Sequence, residues 1–111
     1  MELPSRVRFV DENLKKAFHR LNEGKGDEKQ LYDWLIRAFE DIEKNSFCGI
    51  QIPKVQIPRE YSQNYAITNL WKYDLPQAWR LLYTIENQKI CVVSIVLEWM
   101  THKEYERRFN Y

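Results

Sequence analysis

Apolar positions along the chain switch between two periods, and each switch marks an element. Val7 and Phe9 alternate with Arg6 and Arg8 after Pro4, which predicts a short first strand over Arg6 to Val10 with one basic face. Leu14, Ala17, Phe18 and Leu21 then follow the i, i+3, i+4, i+7 spacing of a helix with one buried face, and Asp11 is its candidate cap. Asn22 to Gly26 ends that helix, with glycine where a left-handed residue is wanted. Asp27 with Gln30 gives a capping pattern for a second helix, whose stripe is Leu31, Trp34, Leu35, Ala38, Phe39 and Ile42. The two helices read as a hairpin packed on a sheet, and the stripe as core rather than a cofactor site.

Both periods stop at Ser46. From there to Glu60 the chain carries a small local repeat, Gln51-Ile52-Pro53-Lys54 and Gln56-Ile57-Pro58-Arg59, and each proline disfavours helix in the residue before it. Residues 46–60 therefore read as an extended basic arm wrapping the sheet edge, with Lys54 and Arg59 as possible RNA contacts. Tyr61 and Tyr65 precede a predicted strand, Ala66 to Leu75, and Asp74-Leu75-Pro76-Gln77 turns the chain back.

The last third is the most strongly patterned. Trp79, Leu81, Tyr83 and Ile85 share one strand face, and Arg80, Leu82, Thr84 and Glu86 the other. Ile90 to Leu97 is apolar except at Ser94 and rich in β-branched residues, as in a central strand buried on both faces. Glu86 to Lys89 joins the two as a hairpin without a turn glycine. Thr101 and Glu104 then form a capping box, which predicts a short helix starting at His102. The whole is an α+β pattern: a small, antiparallel-rich twisted sheet, an N-terminal helical hairpin on it and a short C-terminal helix.

Length and composition add few constraints. With 111 residues and 44% hydrophobic content, the chain reads as one domain, 1–111, with one core. Its two cysteines, Cys48 and Cys91, have no partners at zinc-ligand spacing, so a reduced cytoplasmic setting is expected, without metal or cofactor. No secretory leader is read, and the longest apolar run falls far short of the roughly 20 residues that span a bilayer. The formal charge of +1 leaves only a local patch for nucleic acid, drawn from Lys54, Arg59, Lys72, Arg80, Lys103, Arg107 and Arg108.

Candidate chemistry gathers around the predicted C-terminal helix. His102, Tyr105 and Glu106 lie at i, i+3 and i+4 on one helix face, and Arg80 can point to the same place from a neighbouring strand. A histidine, a tyrosine and an arginine supply a proton acceptor, a proton donor and a cation for a phosphorane, the parts needed to cut a phosphodiester. The purely structural alternative puts His102 on the surface, packs the Tyr105 ring on the sheet and pairs Arg80 with a carboxylate.

The element order, Trp79-Arg80-Leu81-Leu82-Tyr83 and the later Thr101-His102-Lys103-Glu104-Tyr105 resemble the RelE/ParE superfamily of toxins, closest to its HigB-like and RelE-like mRNA interferases. The resemblance covers nearly the whole chain in element order, with its specific motifs between Leu70 and Phe109. It implies the toxin of a type II toxin-antitoxin system, a metal-independent endoribonuclease that cuts mRNA, commonly on the ribosome, by attack of the 2′-hydroxyl. It also implies that Arg80 contacts the scissile phosphate, that His102 is the proton acceptor and that Tyr105 stacks or orients a base. Lys54, Arg59, Lys72, Lys103, Arg107 and Arg108 would be RNA contacts by the same analogy. A cognate antitoxin is the implied partner, covering the groove between helices and sheet; Tyr61, Tyr65, Trp71 and Tyr111 suit such an interface. The near-neutral charge and the long arm depart from the family pattern. Because the superfamily includes gyrase-poisoning and degenerate members, a non-catalytic protein-binding module is the alternative.

Overall fold

The C-terminal hairpin forms the middle of a five-stranded mixed sheet in the computed structural model, which describes residues 2–88 and 91–109. Strand β4 (Arg80–Asn87) runs antiparallel to β5 (Val92–Met100), and β3 (Trp71–Asp74) and then the two-residue β2 (Ile50–Gln51) extend the sheet beyond β4. Strand β1 (Arg6–Phe9) adds to the far side of β5 in parallel, giving the order β1-β5-β4-β3-β2. The middle position thus belongs to β4, not to the strand predicted over Ile90 to Leu97, which starts later and runs on to Met100. Lys89 and Ile90, within the expected turn and strand, lie outside the described residues.

Helices α1 (Glu12–Glu23) and α2 (Asp27–Lys44) cover one face of the sheet, as their stripes require. Phe18, Leu35, Phe39 and Ile42 pack there on Leu81, Tyr83 and Val96. Asp11 caps α1, its Oδ1 accepting the Leu14 N–H at 2.8 Å. The expected cap of α2 is corrected: Gly26 holds the N-cap position with φ +60°, and Asp27 opens the helix, where its charge still suits the helix dipole. Of the two glycines in the segment that ends α1, Gly24 has φ −77° and Gly26 is the one with positive φ.

The opposite face is covered as well. The segment 46–60 is not a continuous extended arm: it folds into two 3-10 turns, contributes β2 and enters a helix, α3 (Arg59–Tyr65). Only the last part of the strand expected over Ala66 to Leu75 is strand; Ala66, in the left-handed region, ends α3. Helices α3 and α4 (His102–Phe109) close a second core in which Tyr61, Tyr105 and Phe109 pack on Leu82, Leu97 and Met100. The protein is therefore α+β, with the sheet as a middle layer between helices.

A bulge in β5 divides its side chains between the two cores. Leu82 pairs with Glu98 but Tyr83 pairs with Val96, so Leu97 is the extra residue. Leu97 and Glu98 consequently serve the α3/α4 side together, after which Trp99 returns to the first core and Met100 to the second. Among the described residues no helix is long and apolar enough to cross a membrane.

Candidate functional site

Register and capping together decide where Arg80 and His102 meet. Gln77 and Ala78 adopt successive left-handed conformations between β3 and β4, reversing the chain so that Arg80 pairs directly with Asp74 on one side and Met100 on the other. Thr101 follows Met100 and starts α4 as expected: its Oγ1 accepts the Glu104 N–H at 3.2 Å, while Glu104 Oε1 accepts the Thr101 N–H at 3.0 Å. These bonds hold the Glu104 carboxyl below its ordinary pKa range. His102 thereby becomes the first residue of a fixed helix, beside the strand that carries Arg80.

The two side chains are in contact. Arg80 Nη2 lies 3.1 Å from His102 Nδ1. A guanidinium can only donate, so Nδ1 is the acceptor and the neutral ring carries its proton on Nε2. Nε2 in turn lies 3.1 Å from Glu106 Oε1, one helical turn on. The result is a carboxylate, imidazole and guanidinium in series. His102 and Glu106 are each about half exposed, whereas the Arg80 side chain retains 14% of its accessibility.

Arg80 is held from three further directions. Its Nη1 donates to the Trp79 carbonyl, and its Cζ lies 5.7 Å from the Tyr105 ring centroid. Asp74 Oδ1 is 3.1 Å from Arg80 Nε, yet the buried Nε–H forms no hydrogen bond: the two charges are close but poorly aligned. The same carboxylate accepts from Lys72 Nζ at 3.2 and 3.4 Å, and Lys72 also sits over Tyr105, 5.5 Å from the ring centroid. Two cations thus flank one aromatic face, with a single exposed carboxylate bridging them.

Tyr105 is enclosed rather than open. Its ring is 2% exposed, stacks on Phe109 and is a member of the second core, so it is not open to stack on a base. Each part of the structural alternative is present too: His102 is exposed, Tyr105 packs on the sheet, and Arg80 has a carboxylate partner.

The six candidate RNA contacts fall into two groups. Lys54, Arg59, Lys103 and Arg107 are exposed. Lys72 is committed to Asp74, and Arg108 is a structural clamp: Nη1 reaches Glu98 Oε2 at 2.8 Å and Nε lies 3.5 Å from Glu60, over the Tyr61 ring. Tyr61, expected on an interface, is buried and donates to the same Glu98 oxygen; burial first, then that carboxylate, push its pKa well up. Tyr65 and Trp71 are half-buried, and Tyr111 lies outside the described residues. A depression of about 390 Å³ lined by residues 55–60, Arg108 and Phe109 sets the arm alongside the end of α4. Another, about 400 Å³ and bordered by Tyr65, Ile67 and Ile95, involves neither Arg80 nor His102.

Asp74 is the site residue that sequence reasoning did not join to Arg80; Lys72 was read beside it only as a member of the same basic patch. The available signal was the turn at residues 74–77, which makes β3 and β4 neighbours. Among the described residues no group of three or more His, Cys, Asp or Glu side chains could hold a metal ion. No family model, curated protein or solved structure matches the chain.

Proposed function

We propose that this protein is an RNA-cleaving toxin of the RelE-like and HigB-like kind, with Arg80 and His102 as its reacting pair. The observation that carries the reading is the 3.1 Å contact between Arg80 Nη2 and His102 Nδ1, which joins residues from β4 and the first turn of α4 at one accessible point. The element order supports a RelE-like arrangement: a strand, two helices, an arm, three strands and a short helix, with β2 and α3 as additions within the arm.

In this reading a phosphodiester enters against Arg80 and separates it from His102. The freed Nδ1 accepts the proton of the 2′-hydroxyl, and Glu106 at Nε2 stabilises the imidazolium that results, as a carboxylate does for a catalytic histidine. The 2′-oxygen bonds to phosphorus, the bond to the 5′-oxygen breaks, and that oxygen takes a proton from solvent. The products are a 2′,3′-cyclic phosphate and a free 5′-hydroxyl. Arg80 offsets the charge that accumulates on the phosphorane oxygens. Tyr105 is a positioning residue, a buried platform for the two cations. Exposed Lys54, Arg59, Lys103 and Arg107 are available to the RNA backbone, and a cognate antitoxin restrains the activity in the cytoplasm.

Purified protein, with and without ribosomes, should cut mRNA to cyclic-phosphate ends. Arg80→Ala should lower the rate about 100-fold or more, and Lys should rescue poorly, because an ammonium cannot reproduce the planar fork. His102→Ala should lose roughly 100- to 10,000-fold. A folded wild-type protein that leaves RNA, translation and growth unchanged refutes the reading. A second reading, a non-catalytic protein-binding module, draws support from Asp74 and Glu106 occupying Arg80 and His102. It expects wild type and His102→Ala to behave alike in every RNA assay.

A further inference from the structure

Asp74 stands where an incoming phosphate would have to go. Its carboxylate bridges Lys72 and Arg80, as two oxygens of a phosphodiester can bridge two cations. The bridge is imperfect: Arg80 Nε–H is buried and close to Oδ1 yet bonded to nothing, although a guanidinium donor so placed normally finds an acceptor. It is also asymmetric. Lys72 and Arg80 keep 20% and 14% of their side-chain exposure and are held against Tyr105, whereas Asp74 keeps 45% at a strand end. Beside Asp74 lies a depression of about 450 Å³, lined also by Trp34, Arg37 and Pro76, which brings another cation to this end of β3.

We propose that Asp74 is a built-in competitor for the oxyanion held by Lys72 and Arg80, so that a phosphodiester binds by displacing its carboxylate. This rests on the reading of Arg80 as a phosphate-binding cation. It makes Asp74 a restraint on affinity rather than a participant in bond cleavage, and its neutralisation an activating change.

The test uses inorganic phosphate and a single-stranded DNA oligonucleotide, which lacks the 2′-hydroxyl, so that binding is measured apart from cleavage. Asp74→Asn should bind both about fivefold more tightly than wild type, the upper scale of an exposed ion pair removed as competitor. Asp33→Asn, the same charge change on the far helix, should not. In wild type, NMR should show the Arg80 Nε–H and Asp74 carboxylate signals moving together as phosphate is added. That measurement decides the matter even where Asp74→Asn folds poorly. Unchanged or weaker binding by folded Asp74→Asn, an Asp74 signal that stays put at saturation, or no binding by either protein overturns the proposal. Tighter binding with no RNA cleavage by any variant leaves it standing and removes the nuclease reading. RNA cleavage without the Asp74 effect does the reverse.

Discussion

Gly49 fixes the start of the arm to β3 and to Tyr83 of the first core, and Gly49→Ala is the sharpest test of that attachment. Its φ of −80° suits any residue, so the conformation costs nothing and the space decides. A Cβ there would lie 2.5 Å from the Lys72 carbonyl oxygen and 2.7 Å from the Tyr83 hydroxyl. The carbonyl belongs to β3, which is paired on both sides, so it cannot retreat alone. Overpacking of this kind costs about 1–3 kcal/mol. Displacing the hydroxyl also weakens two hydrogen bonds, from the Gly49 N–H at 3.2 Å and to the Ser46 carbonyl at 2.7 Å, each contributing about 1 kcal/mol. The expected loss is therefore about 3 kcal/mol, read by urea unfolding with an unchanged slope. Tyr83→Phe should cost about 1–2 kcal/mol by stranding the Gly49 N–H and the Ser46 carbonyl. Because both changes act through one hydroxyl, the double mutant should lose roughly 1 kcal/mol less than the sum. A Gly49→Ala protein within about 0.5 kcal/mol of wild type, or strict additivity, would refute this account.

Four other outcomes follow from local geometry. Glu98→Ala should cost about 2 kcal/mol in chemical denaturation, since it takes the acceptor from the Tyr61 hydroxyl and one of the two carboxylates from Arg108, with Glu60 and the partial exposure of Arg108 softening the loss. Thr101→Ala should cost about 1 kcal/mol through the lost cap. The paired Glu104 has a lowered pKa, so its contribution is fully present above the ordinary carboxylate pKa and fades as pH falls through the lowered value. Titrating the melting temperature of Glu104→Gln against wild type should show that acid-side dependence removed. Ala78→Gly should raise stability by about 0.5 kcal/mol, relief at a φ of +62° exceeding the added unfolded-state entropy; an unchanged or lower melting temperature would count against strain in that turn.

Where a physical period ran long enough, the sequence was legible. The stripes of α1 and α2, the Asp11 cap, the hairpin faces and the Thr101 capping box all lie where periodicity and caps put them. Helix α3 was not legible: seven residues after Pro58 offer only Tyr61 and Tyr65 as an i, i+4 pair, and the prolines before it argue for extended chain. That omission is why Tyr61 was read as an interface residue rather than as part of a core. The bulge at Leu97 left no mark in the sequence, because Ile95, Val96 and Leu97 before it are apolar residues that suit either core. Around the candidate site, alternation placed Arg80 on the correct face and residue types signalled a turn over 74–77, but not its two left-handed residues, Gln77 and Ala78, on which the contact with Asp74 depends.

The parallel pairing of β1 with β5 bears on the order in which the molecule can form. Residues 6–9 are made well before residues 93–96, their hydrogen-bonding partners, so their apolar side chains wait for a strand that emerges much later. The α1/α2 hairpin can condense meanwhile, being local; the floor beneath it cannot, since Leu81, Tyr83 and Val96 arrive later. A nascent chain on the ribosome therefore carries a greasy, unfinished hairpin and neither half of the Arg80–His102 pair, and it completes both together once β5 and α4 are free.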